Sequence, residues 1–421
     1  MKIAHISTSD CRGGAAKAAY RLHQGLVGVG VDSHFIVQEK DTDDPRVHGP
    51  VNLFGKVRAR VSARLDSGIR KSGVTEHWFS SAWVPDQLNA RLAQLQPDVV
   101  NFHWVNKGFV RLETLGRLSY PIVWTLHDMW PFTGGCHYTG GCSAYVKSCG
   151  KCPQLGSQQQ QDDSSRILSR KAAAWKKLKM QIVTPSIWMA DCARASTLFR
   201  EKAIKTIPYG LDTDVYKPLD RKFARYTLGL PEDKLMVLFG ADAGTADPRK
   251  GFDLLLESLD VLKRDEELSS NILLVIFGGS SSGNGKINGF ETRYLGKLFD
   301  ETSLALAYSA ADVFVAPSRE DNLPNTILEA LACGTPCAAF HIGGMPEMII
   351  PDQNGYLAHA FNVDDLARGI KQLLIAPDKE AMRVRHHNYI RDGFGLHRQA
   401  ERYLELYQTL TASGVQLKPG G

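Results

Sequence analysis

Asp321 and Glu329 stand with seven residues between them in the run Pro317-Ser318-Arg319-Glu320-Asp321-Asn322-Leu323-Pro324-Asn325-Thr326-Ile327-Leu328-Glu329. The apolar Val313 to Ala316 before this run reads as a strand, and the residues after Pro324 read as a helix ending at Gly334. The polar turn is then expected at the carboxyl edge of a parallel sheet, where open α/β domains bind ligands. With Pro324 near the first helical turn, unpaired backbone N–H groups and the positive helix end face the turn and can hold a phosphate. Glu320, Asp321, Asn322, Leu323, Pro324, Asn325 and Thr326 are its expected contacts. One carboxylate can accept hydrogen bonds from sugar hydroxyls and the other, further into the helix, from a ribose, so the spacing suits a nucleotide sugar. The plainer alternative makes Asp321 a helix cap and Glu329 a solvated helix residue.

A diphosphate needs cations. After the strand-like Leu235 to Phe239, a long loop carries Arg249 and Lys250 before Gly251 and a helix, and can aim positive charge at a leaving diphosphate. Near the amino end, Gly13 and Gly14 precede a helix beginning near Ala15, where backbone can approach an anion closely. His127-Asp128 follows the apolar Ile122 to Leu126, and His103-Trp104 follows Val99 to Phe102, so both histidines end strands at one sheet edge. His127 is the candidate for the reacting centre, with Asp128 orienting its ring or serving an acceptor hydroxyl. Cys136, Cys142, Cys149 and Cys152 fall in one short glycine-rich insertion and can enclose a structural tetrahedral zinc, with His137 able to replace one sulfur. Two disulfides or free thiols are the alternatives.

The elements that must position these groups belong to two α/β series. The first reads as strand Lys2 to Ser7, helix Ala15 to Gly28, and strands Ser33 to Val37, Val99 to Phe102, Ile122 to Thr125 and Gln181 to Thr184. The second reads as strands Met236 to Phe239, Ile272 to Phe277, Val313 to Val315 and Pro336 to Phe340. Residues 1–207 form the expected first domain and 208–396 the second, with a helix within 397–421 returning to the first. Gln158 to Ser165 is expected to be a polar surface loop.

In motif order the chain resembles the retaining glycosyltransferase family four, whose fold is called GT-B. The shared marks are the Gly13-Gly14 loop, His127, the linker Pro208-Tyr209-Gly210-Leu211-Asp212, Lys250, the acidic helix, and the turn Gly343-Gly344-Met345-Pro346-Glu347. It departs from the family where Asp321 replaces the first glutamate of the acidic signature and Ala241 replaces an arginine. The resemblance implies two Rossmann-like domains facing across a cleft, donor bound mainly by the second and acceptor by the first. It also implies front-face attack with no enzymic nucleophile, Lys250 and one of the two carboxylates Asp321 and Glu320 at the reacting sugar beside His127, and a bacterial exopolysaccharide or colanic-acid type of product. No cofactor is expected for catalysis. Two rivals share the fold: a nucleotide-sugar epimerase and a non-catalytic nucleotide-sugar-binding protein.

The formal charge of +5 suits an anionic small molecule and argues against nucleic acid. The expected partners are a UDP- or GDP-sugar and a glycan or polyprenyl-linked acceptor. Neither a signal peptide nor a spanning segment is read, so the expected place is the cytoplasm, with peripheral contact at the inner membrane face. Phe54, Val57, Val61, Leu65 and Ile69 recur at helical spacing among Lys56, Arg58, Arg60, Arg64, Arg70 and Lys71. This stripe is expected to pack on its own domain, or else to rest on an anionic membrane.

Overall fold

A computed structural model describes residues 1–50, 52–67, 79–241, 244–279, 282–377 and 379–412. The chain forms two units, Met1–Pro208 with His397–Gly421, and Tyr209–Leu396. In the first unit seven parallel strands lie in the order Val47–His48, Asp32–Glu39, Lys2–Ser9, Val99–Phe102, Ile122–Thr125, Met180–Thr184, Ala203–Thr206. The strands Val99–Phe102 and Ile122–Thr125 are buried at every residue, as a sheet covered on both faces requires. One cover is the carboxyl-terminal helix Leu396–Ala412, whose Ala400, Tyr403, Leu406 and Tyr407 pack with Ile3, Val99, Val123, Val183 and Ile207. Two tyrosines fix that docking: Asn101 donates to the Tyr407 hydroxyl at 2.7 Å, and the Tyr403 and Thr125 hydroxyls lie 3.0 Å apart.

The second sheet also has seven strands, ordered Ser282–Ile287, Phe290–Gly296, Ile272–Phe277, Leu235–Gly240, Val313–Ala316, Cys337–Phe340, Gly355–Ala358. All its pairings are parallel except that of Ser282–Ile287 with Phe290–Gly296, a hairpin turned by Asn288 and Gly289 at φ 48° and 83°. Helices Phe252–Leu262 and Val363–Leu374 bury Leu254, Leu255, Leu259, Leu366 and Ile370 against this sheet.

Two expectations fail locally. Asp162 accepts from the Ser165 N–H and caps the helix Asp163–Trp175, so only the first part of the polar stretch is loop. The basic helix Leu53–Ser67 does not bury its apolar stripe: Phe54 is 76% exposed, and Val57, Val61 and Leu65 are 45 to 47% exposed. Its opposite side is the packed one, because the Asp66 carboxylate accepts from the Ala82 and Gly108 N–H groups and the Ser81 hydroxyl. Ile69, Arg70 and Lys71 lie outside the described residues.

Candidate functional site

The acidic turn of the second unit is built as a cross-linked pair of loops. Pro324, with φ −65°, occupies the cap position of the helix Asn325–Ala332, so Asp321 is not its cap residue. Asp321 instead lies buried beneath the loop before Gly251. Its carboxylate accepts from the Lys250 ammonium at 2.5 Å and lies 3.3 Å from the Arg249 guanidinium. Burial alone would raise the Asp321 pKa, but Lys250, Arg249 and the Asn322 N–H bring it below the usual carboxylate value. Burial lowers the Lys250 pKa, and Asp321 opposes that shift.

Glycines permit this proximity. Gly251 has φ 69°, and a Cβ there would stand 2.0 Å from the Pro317 carbonyl oxygen. Gly343, at φ 53°, brings the following turn equally close to the Asp321 carbonyl. Arg249 also donates to the Glu320 carbonyl at 2.9 Å, while Arg319 grips Asp253 and the Pro248 carbonyl. Glu329 is only 3% exposed and accepts from the Tyr308 hydroxyl at 2.8 Å, so it is a buried, oriented carboxylate rather than a solvated one. Lys250, Arg249, Asp321 and the start of the helix are thus brought together at one strand edge, with Glu329 further along that helix. Arg319 and Tyr308 were not singled out by sequence; only their distance in chain from Asp253 and Glu329 hides them.

In the first unit Gly13 adopts φ 88° immediately before the helix Gly14–Gly28, and a Cβ at Gly13 would meet nothing within 4 Å. His127 is 7% exposed and follows its strand as expected. Asp128 does not orient it. The Asp128 carboxylate accepts from His137 Nδ1 at 2.6 Å, from the Trp104 indole at 2.8 Å and from the Trp130 N–H at 3.0 Å. His127 Nε2 instead meets His103 Nδ1 at 2.9 Å, and His103 Nε2 in turn meets His5 Nδ1 at 2.9 Å. Burial holds the His127 pKa down at about 4, with Asp128 opposing the shift.

Cys136, Cys142, Cys149 and Cys152 carry no disulfide, and burial raises the pKa of Cys136 and Cys149. Their sulfurs do not form a ready ligand set. Among the described residues, three potential ligand atoms come within 4.8 Å of one another only at Asp10, Cys11 and Asp41. His137 is excluded as the replacement ligand, since its Nδ1 pairs with Asp128 and its Nε2 with the Ser80 hydroxyl at 3.0 Å. The insertion is held instead by Lys171, fully buried, which donates to the Trp130 and Thr133 carbonyls.

Residues 12–215 match the model of Glycosyltransferase Family 4, and residues 220–391 match Glycosyl transferases group 1. The chain is built of two glycosyltransferase-family domains. Its relatives include D-inositol 3-phosphate glycosyltransferase 2 of Catenulispora acidiphila, 28% identical over 283 residues, which are 63% of this chain and 62% of that protein. The chain thus spans less than two thirds of that relative's length. A putative colanic acid biosynthesis glycosyl transferase of Escherichia coli K12 is 28% identical over 365 residues, 83% of this chain and 85% of the relative. Among solved structures, sucrose-phosphate synthase of Thermosynechococcus elongatus superposes with TM-score 0.70 at 19% identity, covering 98% of this chain and all of that one. An Anabaena protein in complex with UDP-glucose superposes with TM-score 0.61 at 16% identity, covering 97% of this chain and 100% of that one. These likenesses give the two-domain α/β fold of GT-B glycosyltransferases.

Proposed function

We propose that the protein transfers a hexosyl group from a uridine or guanosine diphosphate sugar to a glycan or lipid-linked acceptor, with retained anomeric configuration, in bacterial surface polysaccharide assembly. The observation that carries this reading is the convergence of Lys250 and Arg249 on Asp321 beside the start of the helix Asn325–Ala332. Those cations and amides offset the charge that grows on a departing diphosphate. Asp321 accepts hydrogen bonds from sugar hydroxyls, and Glu329, held by Tyr308, accepts from the ribose. His127 is the group of the first unit that this reading assigns to the sugar, and the departing phosphate takes the acceptor proton. The Anabaena protein's UDP-glucose and the Escherichia coli relative's colanic-acid role support the donor and product classes.

The acceptor side has a second feature. Leu53, Phe54, Val57, Val61 and Leu65 occupy about a third of their helix's circumference at 3.6 residues per turn, all exposed, with Lys56 and Arg60 on one flank, Arg58 on the other and Arg64 within the stripe near its first edge. The helix's one carboxylate, Asp66, is turned inward. Exposed apolar side chains ringed by cations match an anionic lipid surface, so we assign this helix to peripheral contact with a membrane bearing the acceptor. No helix among the described residues is long and apolar enough to cross a membrane. We also propose structural zinc at Cys136, Cys142, Cys149 and Cys152, four thiols that fall within one short insertion.

The test is incubation with candidate nucleotide sugars and a panel of glycan and polyprenyl-phosphate acceptors, with the product linkage read by NMR. A glycoside of the donor's own anomeric configuration is expected. An inverted linkage contradicts retention, a free isomerised nucleotide sugar identifies an epimerase, and binding without turnover identifies a binding protein.

A further inference from the structure

Two histidines on neighbouring strands at one edge of the first sheet bring ring nitrogens to metal-ligand spacing. The strand Val47–His48 pairs in parallel with Asp32–Glu39, with Phe35 opposite Val47 and Ile36 opposite His48. Side chains alternate along a strand, so His34, two residues before Ile36, shares a sheet face with His48. His34 Nδ1 lies 3.0 Å from His48 Nε2. The other nitrogen of His34, Nε2, lies 3.0 Å from the Asp32 carboxylate. Solvent reaches both rings: His48 is exposed, and the His34 side chain is 19% exposed.

The carboxylate decides where the lone pair goes. Asp32 only accepts, so His34 donates from Nε2 and in its neutral form keeps a lone pair on Nδ1, on the side of His48. When His48 carries its proton on Nε2, a hydrogen bond fills the gap. When that proton sits on His48 Nδ1 instead, two lone pairs flank one point that a cation can occupy. Two nitrogens 3.0 Å apart, each about 2.0 to 2.1 Å from one ion, subtend about 95° at it. That is close to the angle between adjacent ligands of a tetragonal or octahedral ion, which suits Cu(II) or Ni(II) with imidazole ligands. The χ2 torsion of histidine is broad, so each ring can turn to aim its lone pair at the ion. A carboxylate on the remote nitrogen of a ligating imidazole orients the ring and raises its basicity. Arg91 pins the edge strand in place, since it donates to the carbonyls of Val37 and His48.

We propose that His34 and His48 bind one divalent transition-metal ion of the nickel or copper class, with Asp32 as the positioning residue behind His34 and water in the remaining coordination positions. The site takes two ligands from the protein and is separate from the Asp10, Cys11 and Asp41 grouping. In the sheet register His34 is level with Ala4 and Val100, before the strand ends that His103 and His127 follow. Metal binding there is therefore independent of the donor-site reading.

The test is calorimetric titration of the full, untagged chain with Ni(II) at pH 7.5, beside His34→Gln, His48→Gln and Asp32→Asn, each confirmed as folded by circular dichroism. The wild type is expected to show a one-ion binding event that vanishes in His34→Gln and in His48→Gln, with the double variant losing nothing more. Nickel held by the four cysteines would persist in all of these variants and so is told apart. Asp32→Asn is expected to keep the stoichiometry and weaken that event about tenfold, the usual cost of removing a carboxylate behind a ligating histidine. A wild type that binds no Ni(II), or a titration unchanged in either histidine variant, overturns the site. Unchanged affinity in Asp32→Asn overturns the positioning role.

Discussion

Lowering the pH from 7.5 towards 4 should unfold the first unit through its buried histidines. His5, His23, His103 and His127 all lie in it, and burial holds each pKa below the ordinary 6.5, with His23 and His127 at about 4. The unfolded chain takes up these protons as the pH passes 6.5, whereas in the folded chain His23 and His127 do not until about 4, and burial holds His5 and His103 neutral well below 6.5. Their contribution is therefore complete above pH 6.5 and lost progressively below it. His23 and His127 each cost about 1.4 kcal/mol per pH unit in that window, and His5 and His103 act in the same direction. His23 and His127 alone amount to about 3 kcal/mol each by pH 4, against a typical total stability of about 5 to 15 kcal/mol. The assay is direct, because all seven tryptophans, Trp78, Trp83, Trp104, Trp124, Trp130, Trp175 and Trp188, belong to the first unit. Urea titrations followed by tryptophan fluorescence at pH 7.5, 6.5, 5.5 and 4.5 should show little change between the first two and a steep loss thereafter. A midpoint that stays constant down to pH 4.5 would refute the reasoning.

Lys250→Met leaves Asp321 buried with Arg249 as its remaining ion-pair partner and should lower the stability of the second unit by about 1 to 3 kcal/mol, read by thermal unfolding. Gly251→Ala should do likewise and weaken donor binding at the same time, because its Cβ would strike the Pro317 carbonyl; normal donor affinity in that variant would contradict the loop geometry. In vesicle sedimentation the protein should bind phosphatidylglycerol-containing membranes and not pure phosphatidylcholine, and Arg60→Glu should weaken binding at least about fivefold. Equal binding to both vesicles, or no effect of Phe54→Asp, would remove the lipid assignment. Protein purified under reducing, chelator-free conditions should carry one zinc per chain by elemental analysis, and its absence would count against the cysteine site.

The central strands of both sheets were legible because buried parallel strands are continuous apolar runs, as Ile272–Phe277 shows, whereas the short, partly exposed outer strands Val47–His48, Ala203–Thr206 and Gly355–Ala358 were not. The hairpin Ser282–Ile287 with Phe290–Gly296 was not, since its first strand is largely exposed and rich in serine and glycine. Its one signal was Asn288-Gly289, a dipeptide suited to the left-handed turn that it makes. Spacing disclosed the apolar stripe of Leu53–Ser67 but not which side packs, because that depends on Asp66 reaching the amides of Ala82 and Gly108. The acidic turn could be placed by its flanking strand and Pro324. Asp128 illustrates what remained hidden: its partners Trp104 and His137 are brought to it by the sheet and the insertion, and no local pattern announces them.

Calorimetric titration of the wild-type chain and Lys250→Met with UDP-glucose and GDP-mannose tests the donor site most directly. One nucleotide sugar should bind the wild type and bind Lys250→Met at least about tenfold more weakly, the loss of a charged hydrogen bond to phosphate. Equal affinity in the two proteins would contradict the site.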